Sequence, residues 1–280
     1  MEVVFDNVTY KENASTPLEQ VFLRGFTVAI EGSGVYTFLG DSKSGISKLG
    51  NLINATSSPF KGKVKVNNFV NNGRYIKNVN KLRMNACIIS ANPNDMLFNK
   101  YVKDELSFGL RYFKYKVRKQ GVRVVDALKL VGLGEEYLSK KICDLSINEK
   151  KKVAIASSLI FNPDIIVFDE PSMFLSTKDK EELIRLINIL KTKYNKMIII
   201  TTKDSSFAYN VSDNIYIVNN GSIVSRGSKN LLIDERNLKD NNLEVPGIIE
   251  FVNTSNKMGA GLTHTNNILD LIKEVYRNAK

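Results

Sequence analysis

Two stretches of this chain, DIIVFDE (164–170) and MIIITT (197–202), are apolar at consecutive positions rather than alternate ones. A strand of that kind is buried on both faces, so its sheet must be covered above and below. Between them lies KDKEELIRLINILKTKY (178–194), acidic early and rich in lysine late, the order that suits a helix dipole. Strand, helix, strand reads as a crossover between parallel strands, which commits the chain to an α/β architecture with a largely parallel sheet. GVYTFLG (34–40) and NACIIS (85–90) supply two more short apolar strands. MEVVFDNVTY (1–10), VFLRGFTVAI (21–30) and GKVKVNNF (62–69) read as strands, and NIYIVNNGSIVSRG (214–227) as a hairpin turning at Asn220–Gly221. Residues 94–160 are mostly helical in pattern, and 228–280 form a polar, helix-patterned tail.

Composition narrows the function classes. The 280 residues, 43% hydrophobic, fill one large domain or one with a small appendage. Forty Lys and Arg against 29 Asp and Glu give a net charge of +11. That balance suits nucleic acid, an anionic membrane surface or acidic ligands, and equally a lysine-rich solvated surface. No basic stripe interleaved with aromatics is read from the linear sequence, which argues against nucleic acid. A single histidine, His264, excludes most catalytic triads and histidine metal sites. Cys87 and Cys143 form no disulfide framework and read as free thiols in a reducing compartment. MEVVFDNVTY lacks a signal-peptide pattern, and no apolar run approaches the ~20 residues that span a bilayer. A membrane role would therefore be peripheral, through a partner.

GDSKSGISK (40–48) follows the strand 34–40 and precedes a segment with Leu49, Leu52 and Ile53 on one helical face. Gly40, Gly45 and Ser47 stand at the spacing of the phosphate-binding loop G-x-x-x-x-G-K-S/T. In such a loop, glycines let backbone N–H groups converge on phosphate oxygens, a lysine adds charge, and the hydroxyl holds magnesium. The candidate phosphate-binding residues are Gly40, Asp41, Ser42, Lys43, Ser44, Gly45, Ile46, Ser47 and Lys48, with Ile46 at the lysine position. Taken alone, the loop also reads as a chance Gly/Ser turn. Far downstream, four apolar residues end in Asp169–Glu170, the pattern of a strand whose aspartate holds magnesium and whose glutamate polarises water.

Loop and strand, in that order, resemble an ATP-binding-cassette (ABC) ATPase. LSINEKKKVAIASSL (145–159) resembles the signature LSGGQ and its helix, with Ser146 as its serine, and DEPSMFLS (169–176) resembles DEPT-x-x-LD. MIIITTKD (197–204) resembles the strand ending in the switch histidine. KLRMNACIISANPNDMLFNKYVKDELSFGL (81–110) is similar to a segment of the energy-coupling factor importers of cobalt and vitamins, as are TPLEQ (16–20), Asn54 and the tail LEVPGIIEFVNTSNKMGAG. The resemblance covers nearly the whole chain. It implies a mostly parallel core sheet, an antiparallel β subdomain and a helical subdomain at about 94–160, together spanning 1–228, with a C-terminal helical extension at 229–280. It implies ATP and magnesium as cofactors, Ser47 and Asp169 on the metal and Glu170 as general base. It also implies a second ABC ATPase subunit, a transmembrane coupling subunit and a place on the cytoplasmic face of the membrane.

Position by position, the chain departs from that family. Ile46 replaces the loop lysine, Lys43 a glycine, Ala91 the magnesium-touching glutamine, and Ile147, Asn148 and Glu149 the signature Gly-Gly-Gln. Ser176 replaces the aspartate at the dimer seam, and Lys203 the switch histidine. Glu12 stands where an adenine-stacking aromatic is usual, with Tyr10 nearby. The expectation is a scaffold that binds nucleotide weakly or not at all and hydrolyses it poorly, as the impaired half of a pair. The alternatives are an active ATPase in which Lys43 or Lys48 supplies the missing charge, and a nucleic-acid-associated cassette.

Overall fold

The computed structural model describes residues 1–115, 119–265 and 267–278. Its strands are β1 (Glu2–Glu12), β2 (Gln20–Glu31), β3 (Gly34–Leu39), β4 (Lys61–Val66), β5 (Phe69–Asn71), β6 (Ala86–Ile89), β7 (Ile165–Asp169), β8 (Met197–Thr202), β9 (Asn214–Asn219) and β10 (Ser222–Gly227). Its helices are α1 (Leu49–Ile53), α2 (Val79–Asn85), α3 (Val102–Tyr112), α4 (Gln120–Leu130), α5 (Ile147–Leu159), α6 (Thr177–Thr192), α7 (Ser205–Val211), α8 (Glu235–Asp240), α9 (Gly247–Lys257) and α10 (Ile268–Asn278).

The larger sheet has the order β10-β9-β3-β8-β7-β6, and β9, β3, β8, β7 and β6 run parallel. Its central strands β3 and β8 are buried at every residue, as their unbroken apolar runs require. The smaller sheet, β2-β1-β4-β5, is antiparallel and alternates buried and exposed residues. One core, built from Phe5, Phe26, Phe38, Leu52 and Ile199 among others, joins the two sheets. A second joins the opposite face of the large sheet to α3, α4 and α5 through residues such as Leu106, Leu128, Val153 and Phe168.

The Asn220–Gly221 turn has φ of 48° and 78°, the two positive values a tight hairpin needs. The strand read over 62–69 is two strands, because Asn67 turns at φ 49° and closes on Glu2. The helix after the phosphate-type loop is a single 3-10 turn (Ile46–Lys48) followed by only five α-helical residues. The tail contains α8, α9 and α10, and α10 keeps Leu271 buried while Ile268, Leu269 and Tyr276 stay exposed.

Candidate nucleotide site

Sheet register brings three sequence-distant segments to one edge. Leu39 pairs with Thr202 and Asp169 with Thr201, so β3, β8 and β7 end side by side. The Gly40 N–H donates to the Thr202 carbonyl at 3.1 Å. The loop 40–48 and the Asp169–Glu170 pair therefore share the C-terminal edge of a parallel sheet, where such folds place ligands.

The loop is packed tightly from behind. Gly45 has φ 85°, and a Cβ there would lie 2.2 Å from the Phe22 carbonyl oxygen, so only glycine fits. The Gly221 N–H donates to the Ser44 carbonyl, tying the loop to the β9–β10 turn. Asp41 turns inward on its own loop: its side chain accepts the Lys43 N–H at 2.9 Å, and its carbonyl accepts the Ser44 N–H and hydroxyl. The N–H groups of Gly45, Ile46 and Ser47 find no acceptor within the described residues. Ser42, Lys43 and Ser47 are exposed, and Ser44 is buried.

The decisive feature is where the charges lie. Ile46 is 5% exposed and belongs to the core between the two sheets. Its apolar side chain is used as packing, so the position offers a phosphate no cation. Lys48 is already paired: its ammonium lies 2.7 Å from Glu12 and 4.5 Å from the centre of the Phe22 ring, while its charge still acts on Asp169. Lys43 is exposed and has no ion pair within the described residues. Tyr10 is buried with its hydroxyl on Glu12 and Ser57, so its ring is no open platform for a base.

Asp169 accepts the Thr201 hydroxyl at 2.7 Å, and burial raises its pKa. Glu170 is likewise raised, first by burial, and adopts φ 43°. Its two oxygens accept the Thr202 hydroxyl (2.8 Å) and the Lys203 N–H (3.0 Å). The carboxylate thus ties β7 to the end of β8, a structural role that sequence reading did not assign to it.

Ser146 is placed in the helical subdomain, capping α5. Its side chain and Glu149 form a reciprocal capping box, with Ser146 Oγ 2.8 Å from Glu149 Oε2. The Tyr137 hydroxyl donates to the other oxygen at 2.6 Å, and that bond, with those from Ser146, brings the Glu149 pKa down to about 2. Glu149 is therefore anionic at the tip of the signature helix. Asn148 donates to Asp179, and Ser176 caps α6.

Lys151 was missed by sequence reading, being one lysine of three in EKKK. It is 4% exposed, and its ammonium donates to the carbonyls of Pro171 (2.8 Å) and Met173 (2.9 Å). It joins α5 to the loop after Glu170, and burial lowers its pKa to about 8. The expected absence of an aromatic–basic stripe is also corrected. On α3, Phe108 and Tyr112 stack, and Phe98 packs edge-on against Phe108. The helical turn brings Phe108 and Tyr112 together, and Phe98 joins them from the loop before α3.

These residues suit a nucleotide poorly. Three free N–H groups, the Ser47 hydroxyl and Asp169 remain for phosphate and magnesium, but the charge that would hold them is absent from its place. Each missing charge-assisted contact is worth ~1.5–3 kcal/mol.

A family model for ABC transporters matches residues 23–173. The energy-coupling factor transporter ATP-binding protein EcfA3 of Oenococcus oeni is 30% identical over 280 residues, covering 98% of this chain and 96% of that protein. The solved structure of CbiO1 from Clostridium perfringens, described as part of the ABC transporter complex CbiONQ, has a TM-score of 0.73 and 25% identity, covering 90% of this chain and 98% of that one. The ATP-binding cassette MJ0796, solved as a dimer bound to ADP and Pi, shares the fold at a TM-score of 0.73 and 24% identity over 81% of this chain and 98% of that one.

Proposed function

This chain belongs to the ABC transporter family as an energy-coupling factor ATP-binding protein, and from that premise we propose that it is the hydrolytically impaired member of a cassette pair. It associates with a second, competent ATPase subunit. Together they dock on a transmembrane coupling subunit at the inner face of the membrane, with the helical subdomain toward that subunit. The observation that carries this reading is the burial of Ile46 in the core at the lysine position. Support comes from Lys48, held by Glu12, and from Glu149, an anion at the position where the signature pattern has a glutamine. Hydrolysis depends on several positioned charges acting as a unit, so their joint loss costs orders of magnitude in rate.

The test is reconstitution with the competent cassette and membrane subunit of the same transporter. A complex should assemble, and its ATPase activity should survive Glu170→Gln in this chain and vanish with the equivalent change in the partner. Failure to assemble, or turnover lost with Glu170→Gln here, overturns the reading. A second reading rests on Lys43, exposed and unpaired within the described residues. If Lys43 supplies the charge, the chain turns over ATP, and Lys43→Ala abolishes it.

A further inference from the structure

Helices α5 and α6 lie side by side with a cleft of about 450 Å³ between them and the end of α4 as its third wall. Two polar bridges cross the cleft: Asn148 donates to Asp179 at 2.6 Å, and Lys152 lies 2.8 Å from Glu182. Residue numbers rise together along the two bridges, so the helices run in the same direction and the bridged end is the N-terminal one. Past it the walls are apolar, with Ile155 on α5 and Leu186 and Ile189 on α6. Ile155 and Leu186 are buried, and Ile189 stands at the open edge. One end of the cleft is therefore polar and the other apolar. Lys151 lines the polar end together with Leu175, and its buried ammonium donates to the Pro171 and Met173 carbonyls. An ammonium has three donors, and the third finds no acceptor within the described residues. The acids at this end are already engaged: Asp179 accepts from Asn148 and Ser176, Glu182 from Lys152, and Glu149 from Tyr137 and Ser146. Glu170, whose charge Lys151 feels, accepts from Thr202 and Lys203. Lys151 and Arg185, which also lines the cleft, form no ion pair within the described residues.

We propose that this cleft binds a medium-chain monocarboxylate, its head on the free donor of Lys151 and its chain between Ile155 and the pair Leu186 and Ile189. A buried cation without a counter-ion is costly, and an anion placed on it offsets that cost. The N-termini of α5 and α6 meet at this end and add their positive dipole ends. A mostly apolar cleft with a few convergent polar groups is the usual form of a small-molecule site, the polar groups fixing which way the ligand lies. From Glu182 to Ile189 α6 rises roughly 10 Å, the length of a chain of about eight carbons. A single remaining N–H suits one carboxylate oxygen rather than a phosphate with three. None of this involves the loop 40–48 or a partner cassette, so it holds whether or not the chain turns over ATP. A second apolar groove, between α9 and α10, is lined by Phe251, Ile272 and Tyr276 and by no charged residue. That groove has no means of preferring an acid to an alcohol, which separates the two.

The test is a titration of the purified chain with octanoate, followed by NMR of its isoleucine methyl groups. The Ile155 and Ile189 methyls should shift saturably, and the Ile272 methyl should not. Octanol, which lacks the charge, and butyrate, which lacks the chain, should bind at those methyls at least tenfold more weakly, the scale of one charge-assisted contact or of a few methylene groups. Lys151→Met should weaken octanoate about tenfold or more and leave octanol unchanged. Arg185→Glu, at an exposed position that tolerates change, should weaken octanoate severalfold and serves if Lys151→Met does not fold. Ile189→Glu should abolish binding, and Ile272→Glu should leave it intact. Thermal melts confirm that each variant is folded. No shift of Ile155 and Ile189 up to the solubility limit overturns the proposal. So does equal binding of octanol at those methyls, or binding that survives Ile189→Glu and disappears with Ile272→Glu.

Discussion

The ammonium of Lys48 lies 2.7 Å from the carboxylate of Glu12, with the Phe22 ring 4.5 Å away. This pair joins the loop 40–48 to the end of β1 and holds the loop's last lysine on a carboxylate. Both partners are partly exposed, so the pair contributes at most about 1 kcal/mol. Lys48→Met should lower the unfolding free energy by no more than that in urea and leave any residual Mg-ATP affinity unchanged. A tenfold loss of affinity would make Lys48 a ligand.

Lys151 has a native pKa of about 8 against an ordinary 10.5. Between those values the unfolded chain binds the proton more tightly than the native one, so this group raises stability as pH rises from 8 toward 10.5. The buried thiol of Cys87, pushed up to about 12, acts oppositely above pH 9. The difference between wild type and Lys151→Met isolates the lysine. That difference should shift in favour of wild type across this window. A pH-independent difference would refute the assignment. The variant should also expose amides of 171–175 to hydrogen exchange, because the Pro171 and Met173 carbonyls lose their donor.

Glu149 shows the acid counterpart. Its pKa falls to about 2 through Tyr137 and Ser146. Its ionised form stabilises the fold fully above pH 4.5, and that contribution is lost as pH falls toward 2. Glu149→Gln retains the shape of the cap without the charge. Acid unfolding of the variant should be shallower between pH 4.5 and 2, and identical profiles would rule out the capping role.

Phe174 adopts φ 65° while 57% exposed, a conformation costly for a bulky side chain. Glycine adopts it freely, and little packing is lost. Phe174→Gly should therefore be neutral or stabilising by up to about 1 kcal/mol, after its entropy cost in the unfolded chain. A loss above that, measured by chemical unfolding, would mean that the ring packs more than its exposure implies.

The fold was legible in the sequence wherever burial imposes a pattern. MIIITT is strand β8 residue for residue, and DIIVFDE contains β7. The short α1 was less legible, since Leu49, Leu52 and Ile53 are buried whether or not the helix continues past them. The substitutions at Ile46 and Glu149 could be read, but not the destinations of the remaining charges. Whether Lys48 served a phosphate or Glu12 depends on a contact between residues 36 apart. Lys151 was indistinguishable from its neighbours because only the helix phase decides which of three consecutive lysines is buried. The aromatic cluster escaped because Phe108 and Tyr112 meet only through the turn of α3 and Phe98 joins them from the loop before it.

The most direct measurement is a calorimetric titration of the purified chain with Mg-ATP, with phosphate release followed in the same samples and Ile46→Lys run alongside. A cassette whose lysine position is core packing should bind no tighter than about millimolar and release no phosphate. Ile46→Lys should lose roughly 2 kcal/mol of stability by placing a charge in that core. Micromolar binding by the native chain, with turnover that disappears in Glu170→Gln, would contradict the claim that this site has ceased to be an engine.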